Sequence, residues 1–384
     1  MVKKEIIILG DIEMGGGTLT DDFISDRTLS ELIRFLTRKK HPVDLVLNGD
    51  TLDFLKCPYI KNGKKKYTRH VTAEISRTKL KLIYNAHQQV FDALKNFVQK
   101  KKNHLYFIIG NHDQDLFFKS VRYELRKILQ AKSNVSFTLK YQKHQVYVEH
   151  GQQYDLFNKV NQKHLFLQYK GNPILNIPWT SFGIISNFLT LKEEHPFLER
   201  IKPHPVLFKY HESILKKLKM KSVDYVLKSI FYFPIRYYFD PTYAFPRMLF
   251  GELYYRFKNR NFDVDQIVDL FKRKNRRIIR QNKLYVLGHI HENYLEEREG
   301  WAIIHPDTWR DEYIMDNKTK ELSSKPKKYV KVIVNKDNEI YWNIEECPRK
   351  RSTLLFSDVT KEEKKFLKLA AKEEGFKLPA LKTF

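Results

Sequence analysis

Short apolar runs recur along the chain, and each stops abruptly in a cluster of Gly, Asp, Asn or His. They are Ile6–Leu9 before Gly10-Asp11, Leu45–Leu47 before Asn48-Gly49-Asp50, and Leu105–Ile109 before Gly110-Asn111-His112. Two more are Val146–Val148 before Glu149-His150 and Leu284–Leu287 before Gly288-His289. Runs this short, bounded by turn residues, predict buried strands. Leu29, Leu32, Ile33 and Leu36 follow i, i+3, i+4, i+7 spacing, and a similar pattern runs from Ala73 to Lys100 through Leu80, Ile83, His87, Val90 and Leu94. These patterns predict helices, with His87 a satisfied core histidine on the apolar stripe. Strands alternating with helices predict an α/β sheet covered by helices, with ligands bound at the strand ends.

The rhythm stops after Asp155 and resumes near Lys283. In residues 155–282, 24 of 128 positions are aromatic, and 23 Lys and Arg face 11 Asp and Glu, so much of the positive charge lies there. From Gly171 to Leu191 there is no charged residue, and Trp179, Phe182, Ile185 and Leu189 fall on one helical face. That face predicts either the insert's own core or a lid or interfacial helix. An aromatic block from Phe231-Tyr232-Phe233 to Tyr254-Tyr255 follows. Beyond His291, Trp301–Ile304, Tyr329–Val334 and Ile340–Ile344 read as strands, and Thr360–Lys372 as a basic helical tail. The expected division is a core of 1–154 and 283–350, an insert at 155–282, and a tail at 351–384.

Composition narrows the classes. A chain of 384 residues with 42% hydrophobic content can bury a substantial core. No apolar stretch reaches the roughly 18–20 residues of a membrane span. Cys57 and Cys347 are the only cysteines, which excludes a disulfide framework and fits a reducing, cytoplasmic setting. The net charge of +25 would attract nucleic acid, an anionic membrane surface or a phosphorylated small molecule without choosing among them.

Hydrolysing a phosphate ester requires an activated water, neutralised phosphoryl oxygens and a stabilised leaving oxygen. Two divalent cations held by Asp, Asn and His side chains can supply the first two. The chain offers such donors at each strand end: Gly10-Asp11-Ile12-Glu13, Gly49-Asp50-Thr51-Leu52-Asp53, Gly110-Asn111-His112-Asp113, Glu149-His150-Gly151 and Gly288-His289-Ile290-His291. Any one alone is weak; five in this order, each after an apolar run, are a strong signal. Other features are expected to be ordinary. Gly15-Gly16-Gly17 reads as a flexible loop, Asp21 and Asp22 as helix-capping or solvated, and His195, His204 and His211 as plain polar residues.

In order and content these motifs resemble the calcineurin-like metallophosphoesterases, whose pattern is D-x-H, G-D-x-x-D, G-N-H-[DE], a lone His, and G-H-x-H. The likeness covers roughly residues 5–155 and 283–310. It implies a four-layer αββα sandwich of mixed sheets carrying a large, mainly helical insert. It also implies two divalent ions, of manganese, magnesium or iron. Asp11 and His291 would hold the first, Asp50 would bridge, and Asn111, His150 and His289 would hold the second. His112 would face the phosphate and protonate the leaving oxygen, Asp113 would orient its ring, and Asp53 would lend outer support. The implied reaction is attack by a dimetal-bound hydroxide on a phosphodiester or pyrophosphate. Glu13 stands where the family has His; a carboxylate can ligate a hard ion, or the first metal site is weakened.

Gly-Asp-Thr-Leu-Asp-Phe and Gly-Asn-His-Asp depart from the phosphoprotein phosphatase forms of these motifs. The layout is closer to UDP-diacylglucosamine pyrophosphatases, which carry a helical insert between the lone His and G-H-x-H. An aromatic, basic insert there suits a lipid-linked or nucleotide phosphate, with the enzyme peripheral at a membrane. The alternatives are a nuclease, for which charge and aromatics would serve, and a catalytically weak protein-binding scaffold of the same fold.

Overall fold

The computed structural model describes residues 2–203, 212–245, 248–259, 264–348 and 351–376. The first sheet has six strands in the order Ile340–Glu346, Lys328–Asn335, Val2–Leu9, Val43–Asn48, His104–Ile108, Val135–Thr138. The last four run parallel; Lys328–Asn335 adds antiparallel to Val2–Leu9, and Ile340–Glu346 antiparallel to Lys328–Asn335. The second sheet orders Asn293–Arg298, Trp301–Pro306, Leu284–Val286, Val146–Glu149, Lys140–Lys143, with a parallel centre and antiparallel edges.

The two-residue period of a strand divides the core into layers. Ile6, Ile8, Val46, Tyr106 and Ile108 meet Val146, Val148, Val286 and Ile304 between the sheets. The alternate residues, Ile7, Leu9, Leu45, Leu47 and Phe107, face outward against helices Asp26–Thr37 and Gln88–Gln99. On the far side Tyr147, Tyr285 and Ile303 are covered by Val264, Ile267, Val268 and Phe271 of helix Val264–Lys274. Helix, sheet, sheet, helix is the four-layer arrangement expected.

The pattern from Ala73 to Lys100 is not one helix. It forms Ala73–Ala86 and Gln88–Gln99, broken at His87, whose backbone leaves the helical region. His87 is fully buried, with Nδ1 2.8 Å from Asp26 and Nε2 3.0 Å from Asp21. Satisfying two distant carboxylates decides the break.

Residues 155–282 hold a hairpin, Phe166–Tyr169 with Asn172–Leu175, and then mainly helices, including Glu212–Phe231. The uncharged stretch forms Trp179–Gly183, a wide turn at Ile184–Phe188, and Leu189–Glu194. Phe182 and Ile185 are buried in the main core. The basic tail folds as Phe356–Lys361 and Glu363–Glu373, burying Val359, Leu367 and Ala371 with Ile24, Phe197 and Tyr313. Among the described residues no helix is long and apolar enough to cross a membrane.

Candidate metal centre

Register brings the motifs to one edge. Leu9 pairs with Leu47 and Leu47 with Phe107, so the loops after these strands leave side by side. Val148 and Ile304 both pair with Val286 in the second sheet, which delivers the loops carrying His150, His289 and His291. Two motif glycines are required by space. A Cβ on Gly49, whose φ is +77°, would lie 2.3 Å from the His150 ring, and one on Gly110 would lie 2.1 Å from Asp50 Oδ1. Glu13, Asp50 and His289 adopt positive φ of 57°, 45° and 81° without being glycine. Such conformations cost energy and are held only where the surroundings dictate them.

One half of the centre is arranged for a cation. Asp50, His150 and His289 offer ligand atoms within 4.8 Å of one another. The Asp50 carboxylate accepts from the His112 amide at 2.8 Å. His150 Nδ1 donates to the Asn48 carbonyl at 2.9 Å, which leaves Nε2 as the nitrogen facing the centre, 3.1 Å from Asp50 Oδ2. His289 Nε2 bonds Asp155 Oδ2 at 3.0 Å, a carboxylate–histidine pairing of the kind that orients metal ligands. Buried His150 Nε2 and Asn111 Oδ1 have no hydrogen-bond partner, as expected of atoms meant for an ion. These four residues therefore fit a divalent ion.

The other half is different. Buried Asp11 accepts from the His289 amide at 3.1 and 3.2 Å, and His291 Nε2 lies 3.6 Å from Asp11 and 3.4 Å from Glu13. The Glu13 carboxylate is already paired with Lys56 Nζ at 2.5 Å and Arg310 Nε at 3.5 Å. Lys56 also meets Asp22 at 2.5 Å and Asp53 at 3.1 Å. Lys192 and Arg310 join Asp22 and Glu199. Burial opposes the charge on Lys56, but Asp22, Asp53 and Glu13 outweigh it and hold its pKa well above the ordinary value.

His112 lines the cavity and its Nδ1 bonds Asp53 Oδ1 at 3.0 Å. Burial works against a charged ring, yet Asp53, Asp50 and Glu13 outweigh it and hold the pKa at about 9. The orienting carboxylate is thus Asp53, not Asp113 as the motif likeness implied. Asp113 instead accepts from the Gly110 amide at 2.6 Å and the Thr51 amide at 3.0 Å, tying two motif loops together. Burial, then the nearby Asp50 charge, pushes its carboxyl up to about 7.

Other expectations are corrected by burial. Asp21 and Asp22 neither cap the helix nor face solvent. Asp21 accepts from the amides of Gly15 and Gly17, so the glycine loop is pinned, while Asp22 sits in the Lys56 network. His195 lines the cavity and bonds Glu363; His204 and His211 lie outside the described residues. Sequence reading missed Lys56, Arg310 and Asp155. Lys56 follows Asp53 by three residues in the same loop, a usable signal; the other two are placed only by tertiary folding.

Above the centre lies a cavity of about 530 Å³. Its floor is Glu13, Asp50, Asn111, His112, His289 and His291, and its cationic rim is Lys56, Lys192, Arg256 and Arg310. Its wall is apolar: Ile184, Phe188, Leu189 and Leu191, with Ile214 and Leu218 from helix Glu212–Phe231. A larger depression of about 710 Å³, near Arg276, Arg280 and Trp301, lies at the opposite ends of the second-sheet strands, away from this chemistry.

A sequence profile described as calcineurin-like phosphoesterase matches residues 4–293. No curated protein matches the chain. Among solved structures, a Staphylococcus aureus protein provisionally named a 5′-nucleotidase, crystallised with α-ketoglutarate, is similar at 11% identity and a TM-score of 0.32. The alignment covers 96% of this chain, which spans 58% of that protein.

Proposed function

The chain belongs to the calcineurin-like phosphoesterase family, a family of metal-dependent hydrolases, and we propose that it cleaves a phosphodiester or pyrophosphate bond in an amphiphilic substrate. The observation that carries this reading is the cavity: phosphate chemistry at its floor, cations at its rim and an aliphatic and aromatic wall beside them. A divalent ion held by Asp50, Asn111, His150 and His289 would lower the pKa of water and withdraw charge from the phosphoryl group.

The chain's own residues supply the rest. Lys56 and Arg310 line the cavity and bring fixed positive charge towards the phosphoryl oxygens. His112, kept protonated by Asp53, donates a proton to the leaving oxygen. Asp155 keeps the His289 ring in one orientation, and its own carboxyl is held well below the ordinary range, against burial, by His289 and Arg256.

The apolar wall favours a lipid-linked phosphate over a nucleic-acid backbone and agrees with the layout likeness to UDP-diacylglucosamine pyrophosphatases. Helix Glu212–Phe231 supports the same reading from outside. It turns Ile214 and Leu218 to the cavity while Met220, Val223, Leu227 and Phe231 form an exposed stripe among Lys216, Lys219 and Lys228. An apolar stripe flanked by lysines suits an anionic membrane surface. The test compares two pyrophosphates with the same head group, one bearing a long acyl chain, alongside single-stranded DNA. A kcat/KM at least tenfold higher for the acylated compound is expected. Equal values, or preference for DNA, would contradict it.

A further inference from the structure

We infer that this chain holds a single divalent ion, in the half of the centre formed by Asp50, Asn111, His150 and His289, and that Lys56 and Arg310 stand in for the second ion. The inference rests on the phosphoesterase reading and deepens it.

The first argument is the direction of one hydrogen bond. Arg310 Nη1 lies 3.2 Å from His291 Nδ1, and a guanidinium can only donate. His291 Nδ1 must then accept, so the ring carries its proton on Nε2. That nitrogen points between Asp11 and Glu13, 3.6 and 3.4 Å away. A protonated Nε2 offers no lone pair to a metal. His150 shows the opposite polarity: its Nδ1 donates to a carbonyl, and its Nε2 is left as a ligand atom. Two histidines of one centre are thus set for opposite tasks.

The second argument is occupancy. Three groups of described residues are compact enough to hold an ion: Asp50–His150–His289, Glu13–Asp50–His112, and Glu13–Asp22–Asp53. None combines Asp11 with His291. The last already contains a cation, since Lys56 Nζ lies 2.5, 2.5 and 3.1 Å from its three carboxylates. The middle group depends on Glu13, whose Oε2 is engaged by Lys56 and Arg310. An added dication there would have to compete with both cations for the same carboxylate oxygen.

The exchange of His for Glu13 then has a physical reason. A histidine at position 13 could not pair with Lys56 and Arg310; a carboxylate can. The fixed cations line the cavity in the place of the second ion but cannot activate water, which leaves that task to one ion.

The experiment is metal content of the full chain after manganese loading and desalting, with the electron paramagnetic resonance spectrum of the bound ion. One ion per chain with an isolated Mn(II) spectrum is expected. That ion should be lost in His150→Ala and kept in His291→Ala, each first shown by thermal melting to fold, with Gln replacing Ala where it does not. Two ions, an exchange-coupled spectrum, or loss of the ion in the His291 variant would overturn the inference and leave the phosphoesterase reading standing. A folded wild-type chain that binds no ion would overturn both.

Discussion

His112 and its two neighbouring acids show how one residue's partner decides its role. Asp53 bonds the ring and also holds the amide and ammonium of Lys56, whereas Asp113 bonds only backbone amides, those of Gly110 and Thr51. Asp53→Asn should therefore lower kcat by roughly 10–100-fold, the usual scale for a lost orienting partner, and also lower the melting temperature, because Asp53 pairs with buried Lys56. Asp113→Asn should cost stability while largely sparing kcat: an amide can satisfy only one of the two N–H donors, and the buried orphan costs about 1–3 kcal/mol. Steady-state kinetics beside thermal melting separates the two. His87 carries a second prediction. Burial alone would lower its pKa, but Asp26 and Asp21 raise it to about 10. A raised folded pKa contributes stability in full below the unfolded value near 6.5, and that contribution is lost as pH rises through about 10. Burial raises Asp26 as well, which adds the same sign at lower pH. Denaturant unfolding from pH 6.5 to 10 should show a fall on the order of a few kcal/mol, flattened in His87→Gln.

At the scale of elements, what was legible in the sequence was local. Gly10-Asp11, Gly49-Asp50 and Gly110-Asn111-His112 each combine a strand's apolar run, a glycine required by space and a polar side chain of the centre within a few residues, so they could be read directly. The break at His87 could not, because its cause is two carboxylates 61 and 66 residues away. Nor could the partition of Trp179–Glu194, where Phe182 and Ile185 enter the core while Ile184 and Phe188 line the cavity. Both sets are apolar, and a wide turn at Ile184–Phe188 resets the helical periodicity between them. The cavity wall gives this scale its prediction. Leu218→Asp should raise KM for an acylated substrate about tenfold or more while leaving a small aryl phosphodiester nearly unaffected, because only the long chain reaches that wall. Parallel loss on both substrates would place Leu218 in the fold rather than in recognition.

For the whole molecule, the charge of +25 acquires a direction from the exposed stripe on helix Glu212–Phe231. Replacing Val223 and Leu227 by Asp should weaken co-sedimentation with anionic vesicles and leave hydrolysis of a soluble substrate intact; equal binding to neutral vesicles would deny the role of charge. Behind every such detail stands one claim, that the strand-end cluster is a metal-dependent phosphoesterase site. Its most direct test is hydrolysis of a generic aryl phosphodiester by metal-stripped chain, with manganese restored, in wild type and in His112→Ala. Turnover that appears only with the metal and falls by roughly 10²–10⁴-fold in the variant is the predicted result. Turnover that ignores both the metal and His112, or a folded, metal-loaded protein with none, would contradict it.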